Sequence, residues 1–490
     1  MSMKQIADWA LNTATQRGAS YADIRIVDDR QRSLATKNGK VGHAASGESL
    51  GAGIRVLVND SWGFAATDDL SRDAVERTAA KAVDIARASA QVKEAPVRLA
   101  PEPAVKIEWA TPCKVDPFST SVEQNLDLLI SIDNELLQVK GVTLAESNLQ
   151  FGRSEQWFYS SEGSDIHQTR YLTGAGFAAI SFAGTEIQKR SYPNSFGGQY
   201  QCKGYELIDE LKLVENARRI GEQAVALHKA EKCPQGRLDL VLDSSQLGLQ
   251  IHESIGHPIE LDRVLGMEAN FAGTSFLTLE KLRTLRYGSD IVNVVADATE
   301  HHGPGLGTFA YDDEGVAAQC TPIISNGLFT GYISSRETAE TIGEHRSNGC
   351  MRAEGWNRIP LIRMTNISIL PGEKPLTFDQ LIAGTDNGIF MQTNRSWSID
   401  DKRYNFQFGC EIGWEIKGGK LGRMLKNPSY SGITTEFWNS MDSICSRDEW
   451  TLWGTPNCGK GQPMQTMGTG HGASPARFKN VKIGTAYQGN

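Results

Sequence analysis

An α+β fold is predicted for this 490-residue chain by three observations. Segments of alternating apolar and polar residues, bounded by Asn-Gly, Asn-Asp and Gly-Gly pairs, read as half-buried strands joined by tight turns. Apolar residues at helical spacing recur in the first half. Beyond residue 264 the pattern is mostly strands and loops. The length exceeds one ordinary core, so two or three domains are expected.

The elements follow in order. "MSMKQIADWALNTATQRG" reads as an amphipathic helix with Ile6, Ala10, Leu11 and Ala14 on one face. "YADIRIVDD" alternates as a strand, and hairpins turn at Asn38-Gly39 and Asn59-Asp60. A helix is expected from Ser71 to Ala90 with Ser71 as N-cap, and a second from Ser121 to Val139. A strand meander covers Val142 to Ser191, with a turn at Gly163. A long helix from Tyr205 to Lys229 carries Leu207, Ile208, Leu211, Val214, Ala217, Ile220, Ala224 and Leu227 on one stripe. "CPQG" at Cys233 to Gly236 breaks the chain. It divides an N-terminal α+β domain, residues 1–232, from a C-terminal domain, 237–490. The first is read as a mixed sheet with helices. The second is read as largely antiparallel β, carrying one helix with a histidine motif. It opens with the strand "LDLVLD" and turns at Asn326-Gly327. It also contains "FQFGCEIGWEIKGGK", in which Phe406, Phe408, Cys410, Ile412, Trp414 and Ile416 share a face before Gly418-Gly419 turns the chain.

Hydrophobic residues make up 40% and charged residues 22%, with a formal net charge of −8. This composition reads as soluble and globular. An acidic balance without basic runs argues against nucleic acid or a membrane surface as the main partner. No apolar run reaches the roughly 18 residues of a membrane span. The N-terminus has no apolar core of a signal peptide, so a cytoplasmic location is expected. The eight cysteines are scattered and read as reduced thiols.

"LGLQIHESIGHPIELDRV", residues 247–264, poses the chemical question. His252 and His257 could supply two nitrogens to a zinc ion, with Glu253 beside them as a base. In the familiar H-E-x-x-H pattern the histidines are four apart and differ by about 40° around a helix. Here they are five apart, roughly 140° on the same count. Either a π-bulge absorbs one residue, or the helix ends near Gly256 and His257 turns back. Gly256 and Pro258 favour the second. Paired histidines near a helix end are also common as surface or core residues. Zinc needs a third protein ligand. Cys202, Cys320, Cys410 and Cys445 read as small buried hydrophobes, with Cys445 on a helix-like stripe with Phe437, Met441 and Ile444. Cys233 lies in the linker, and Cys113, Cys350 and Cys458 lie in polar loops. "GTGHGAS" looks like a phosphate loop only superficially, since no strand is read before it and no Lys-Ser/Thr follows.

"HESIGHPIELD" resembles the H-E-x-x-x-H segment of the TldD/PmbA family of metallopeptidases. "GTFAYDDEGVAAQ", "NGLFTGYISSRETA", "NGCMRAEGWNRIPLIRMTNISILPGE" and "GTPNCGKGQP" resemble further segments of that family, in the right order, from Leu238 to Gly484. The N-terminal half is similar more loosely, around "YADIRI". Pro258 and a long C-terminal stretch with His471 depart from the family pattern. The resemblance implies zinc (Zn2+) held by His252, His257 and Cys458, with Glu253 as catalytic base. It places the chain in the motif-bearing, TldD-type branch. It also implies a homodimer, or a heterodimer with a PmbA/TldE-like chain, acting on unfolded peptides and trimming leader segments of modified peptides. The alternatives are a metal-binding subunit without turnover and a zinc hydrolase acting on a non-peptide amide. His301, His302, Arg352 and His471 are candidates for stabilising an oxyanion. Asp312, Asp313 and Glu314 either support the site or form a solvated turn.

Overall fold

The computed structural model describes residues 2–270 and 273–484. Its architecture is α+β. Helix α1 (Met3–Gln16) buries Ile6, Ala7, Ala10 and Ala14, while Leu11 stays at the margin. Strands β1 (Tyr21–Lys37), β2 (Lys40–Val58) and β3 (Ser61–Thr67) form consecutive hairpins. Both turns need left-handed backbone. Asn38 and Gly39 have φ of 51° and 70°, and Asn59 and Asp60 have 51° and 56°, as two-residue hairpin loops require. Helix α2 (Arg72–Ser89) packs with α1 on this sheet through Val75, Ala79, Ala82, Val83 and Ala86.

Strand β4 (Lys106–Ala110) precedes helix α3 (Val122–Leu137), which opens on a capping box between Ser121 and Gln124. The meander comprises β5 (Val142–Ser160), β6 (Asp165–Ala183), β7 (Glu186–Tyr192) and β8 (Gln199–Gln201). These eight strands make one sheet whose main path runs β3-β2-β1-β5-β6-β4, with β7 and β8 also on β6. Only β4 joins in parallel, so the sheet is mixed. The expected long helix is two: α4 (Glu206–Leu211) and α5 (Leu213–Ala226). Lys212 breaks them with φ 47°. The apolar stripe continues across the break because Ile208, Leu213, Ala217, Ile220 and Ala224 all pack on β5 and β6.

The rest is β-rich. In chain order it contributes β9 (Glu231–Lys232), β10 (Gly236–Leu242), helix α6 (Ser244–Ile251), β11 (Val294–Asp297), β12 (Cys320–Ser325), β13 (Leu328–Phe329), β14 (Met351–Arg352), β15 (Leu361–Ile362) and β16 (Asn366–Ile369). Then come β17 (Asn387–Ile399), β18 (Asn405–Lys417), β19 (Lys420–Lys426), β20 (Ser429–Ile433), β21 (Met441–Ile444), β22 (Thr451–Lys460), β23 (Gln465–Ala473) and β24 (Ala476–Ile483). One sheet has the path β17-β10-β24-β20-β18-β19-β9, with β21 on β24. A second runs β13-β12-β11-β16-β23-β22. Most of their pairings are antiparallel. Helix α6 lies in the core they share, with all eight of its residues buried. Leu247 and Ile251 of α6, with Ile255 and Ile259 in the turns that follow it, stand four apart and join the core between the strands.

Two of the four cysteines read as small buried hydrophobes differ from expectation. Cys320 is exposed at the start of β12. Cys445 is buried, but it follows strand β21, because the helix before it stops at Asn439. All eight cysteines are free. Among the described residues no helix is long and apolar enough to cross a membrane.

Candidate metal centre

Asp243 caps α6 by accepting the backbone N–H groups of Ser245 and Gln246. The helix does not end at Gly256. Residues His252–Gly256 form a π-turn, and the His257 N–H donates to the His252 carbonyl five residues back. That bond stacks residue 257 close above residue 252, so the inserted residue brings the two imidazoles together. The backbone stays helical through His257, at φ −65° and ψ −41°. Glycine at 256 serves contact rather than termination: a Cβ there would lie 2.1 Å from the Met364 sulfur, which would have to move. Pro258 has no N–H to give the preceding turn. The Tyr287 hydroxyl donates instead to the Ser254 carbonyl. The expected helix stop is therefore replaced by a π-segment that a short 3-10 turn, His257–Ile259, continues.

His252 and His257 meet edge to face, with ring centroids 4.8 Å apart. The third member is Cys458. It was read in a loop but lies on β22, just past an irregularity between Thr455 and Cys458 that re-aims the strand. Its Sγ is 3.9 Å from His257 Nε2. One ligand atom from each of His252, His257 and Cys458 falls within 4.8 Å of the others, and all three residues are buried.

The tautomers follow from the hydrogen bonds. His471 Nδ1 lies 3.1 Å from the Ile367 carbonyl, which can only accept, so Nδ1 carries the proton. Burial pushes His471 well below the usual imidazole range, so it is neutral and its Nε2 is an acceptor. His252 Nδ1–H donates to it at 2.7 Å, which leaves the His252 Nε2 lone pair free. His257 Nδ1–H donates to Glu260 Oε2 at 3.1 Å, which frees its Nε2 in the same way. Burial would raise Glu260, but Lys460, His257 and Arg263 outweigh it and hold the carboxyl far below the usual range. Lys460 is fully buried between Glu260, at 3.4 Å, and Asp262, at 2.7 Å. Burial lowers both His252 and His257, which keeps them neutral at pH 7. Burial pushes the Cys458 thiol up; His257, when its ring is protonated, and the Arg363 guanidinium draw it down below its ordinary value.

Two neutral imidazoles with oriented lone pairs and one buried thiol suit a borderline-soft divalent ion such as zinc. A carboxylate behind one histidine is the usual support of such ligands. Glu253 sits beside this group, buried, in an ion pair with Arg403. Arg403 has φ 64° in the turn between β17 and β18.

The other sequence candidates fall elsewhere. The Arg352 Nη atoms donate to the carbonyls of Met364, Gly468 and Leu306, so it braces strands and is not aimed at a reaction. His301 and His302 form a separate group with Asp297. "GTGHGAS" lies largely in β23, whose backbone is paired with β22 and β16. Asp312, Asp313 and Glu314 are buried, not a solvated turn. Asp312 accepts the N–H groups of Glu314, Val316 and Met351. Arg25 pairs with Asp313 at 3.4 Å and Arg55 with Glu314 at 3.0 Å, tying β1 and β2 to the later half. Sequence reasoning missed Glu260, Lys460 and Arg403. The His-x-x-Glu spacing of His257 and Glu260 could have flagged the first. Nothing local flags Arg403.

Three family models match the chain: PmbA/TldA metallopeptidase domain 1 over residues 22–86, the central domain over 115–228 and the C-terminal domain over 235–485. A metalloprotease of Methanothermobacter thermautotrophicus is 32% identical over 95% of each chain. A metalloprotease of Methanocaldococcus jannaschii is 31% identical over 92% of this chain and 95% of its own. A zinc metalloprotease TldD homolog of Saccharolobus solfataricus is 24% identical over 97% and 98%. Among solved structures, TldE from Thermococcus kodakarensis superposes with a TM-score of 0.70 at 15% identity, over 96% of this chain and 98% of that one. A Thermotoga maritima protein gives 0.75 at 16% identity, over 99% and 100%. Matching family models along its length and relatives similar from end to end show that the chain belongs to the PmbA/TldD family of metallopeptidases.

Proposed function

We propose that this chain is a zinc-dependent peptidase of the TldD type, with His252, His257 and Cys458 as metal ligands and Glu253 as the base. The observation that carries the reading is the convergence of two imidazoles and a thiol beside a buried glutamate. The name of the Saccharolobus relative supports zinc. When bound, the ion supplies a Lewis acid and makes water acidic enough to react at neutral pH. Glu253 receives the proton of the attacking water and returns it to the leaving amine. Arg403 holds the Glu253 carboxylate in place through a charge-assisted hydrogen bond. Glu260 and His471 fix the ring orientations of His257 and His252.

The substrate is a short or unfolded peptide. The support is topological: β22, which carries Cys458, is the end strand of its sheet, with Gln199 of β8 bonded to its edge at Leu452 and Gly454. An extended peptide laid on that edge makes main-chain hydrogen bonds, which tolerate many side chains and demand an unfolded segment. Trimming of leader segments from modified peptides fits the same requirement. The working form is a homodimer or a heterodimer with a PmbA/TldE-like chain, in the cytoplasm. The test is digestion of one polypeptide in folded and unfolded forms, beside a peptide library. Cleavage confined to the unfolded form, with loose sequence preference, is expected. Equal cleavage of both forms, or strict preference for one residue at the cut, contradicts it.

A further inference from the structure

We propose a second, exchangeable transition-metal site formed by His301 and His302 and positioned by Asp297. Among the described residues, the three make a second group of ligand-type side chains whose donor atoms lie within 4.8 Å of one another. Asp297 ends β11 and is buried, with 1% of its side chain exposed. Its Oδ1 accepts both the N–H and the hydroxyl of Thr299, at 2.8 and 2.6 Å. Its Oδ2 lies 2.6 Å from His302 Nδ1. The carboxylate can only accept, so His302 Nδ1 carries the proton and its Nε2 presents a lone pair. That Nε2 is 3.2 Å from Nδ1 of His301, a residue on the exposed side of the loop.

Two nitrogens on a tetrahedral zinc, with Zn–N bonds of about 2.0–2.1 Å, stand about 3.3 Å apart. The observed separation is of that size, but His301 Nδ1 is also 3.4 Å from His302 Nδ1 and so lies over the His302 ring; binding an ion requires the exposed His301 side chain to turn into line with the His302 Nε2 lone pair. The anchored Asp297 behind His302 repeats the carboxylate–histidine support that Glu260 gives His257. Imidazole-only coordination selects zinc, nickel or copper over magnesium or calcium. With two protein ligands and open positions facing solvent, the site exchanges its ion and binds more weakly than the buried trio.

The experiment is calorimetric titration of Ni2+ into the full-length protein already loaded with one zinc. About one further equivalent is expected. It should vanish in His301→Ala and in His302→Ala, with the resident zinc retained as evidence of an intact fold. Asp297→Asn should weaken Ni2+ binding about 10–100-fold. The proposal is overturned if the wild-type protein takes up no further equivalent, or if His301→Ala and His302→Ala bind Ni2+ like wild type. Wild-type affinity in Asp297→Asn would remove the positioning role.

Discussion

His252 and His257 are five residues apart, both buried, and each ring is locked through Nδ1 to a group that is itself held in place. His301 and His302 are adjacent, on a loop, and only His302 is locked by a carboxylate. Both pairs bring nitrogens to ligand distance, so proximity does not distinguish them. What differs is the layer behind the rings. The buried pair adds a thiol, a Glu-Lys-Asp ion cluster and a neutral histidine that fixes a tautomer. Those groups orient the lone pairs before any ion arrives, so the cost of organising the ligands falls in folding rather than in binding. The loop pair has one such support.

Changes that remove this layer piece by piece should therefore grade the buried pair toward the loop pair. The largest effect is expected from Cys458→Ala, which leaves two imidazoles. Metal analysis of the purified variant should find the stoichiometric zinc lost, and unchanged zinc content would take Cys458 out of the site. Next come Glu260→Gln and His471→Gln, which keep all three ligands but loosen a ring. Each should reduce zinc affinity about 10–100-fold in a chelator competition. Wild-type affinity in both would mean that the supporting layer does not matter. Arg403→Gln should leave zinc bound and slow peptide cleavage by about tenfold or somewhat more, the worth of one charge-assisted hydrogen bond. Loss of zinc in that variant would instead make Arg403 part of the metal's support. The smallest effect is expected from His301→Ala with His302→Ala: peptide cleavage by the zinc-loaded enzyme should stay at the wild-type rate. A drop would link the loop to the buried centre.

Much of the fold was legible because its signals are local. Asn38-Gly39, Asn59-Asp60 and Ser121 with Gln124 each carry their own turn or cap chemistry. The break at Lys212 was not legible, because the apolar stripe that sheet packing selects runs straight through it. "GTPNCGKG" and "GTGHGAS" read as loops because glycine usually marks them. Here the glycines admit close neighbours inside a sheet: a Cβ on Gly472 would meet the Trp450 ring at 1.8 Å, and one on Gly470 would meet Asn366 Oδ1 at 2.1 Å. The burial of the acidic run at Asp312 was not legible because its partners, Arg25 and Arg55, lie more than 250 residues earlier. The site divides in the same way. His252, Glu253, His257 and Cys458 stand in recognisable strings. The π-turn depends on Met364 and Tyr287, and Arg403 on a distant turn, and no short window of sequence contains those contacts.

The central claim is that the buried trio holds the ion while Glu253 moves the proton. It is tested most directly by measuring peptide cleavage by Glu253→Gln protein whose zinc content has been shown equal to wild type. The account predicts full zinc and cleavage reduced by about 10²–10⁴-fold, the contribution of a positioned general base. Near wild-type cleavage at full zinc occupancy would contradict it.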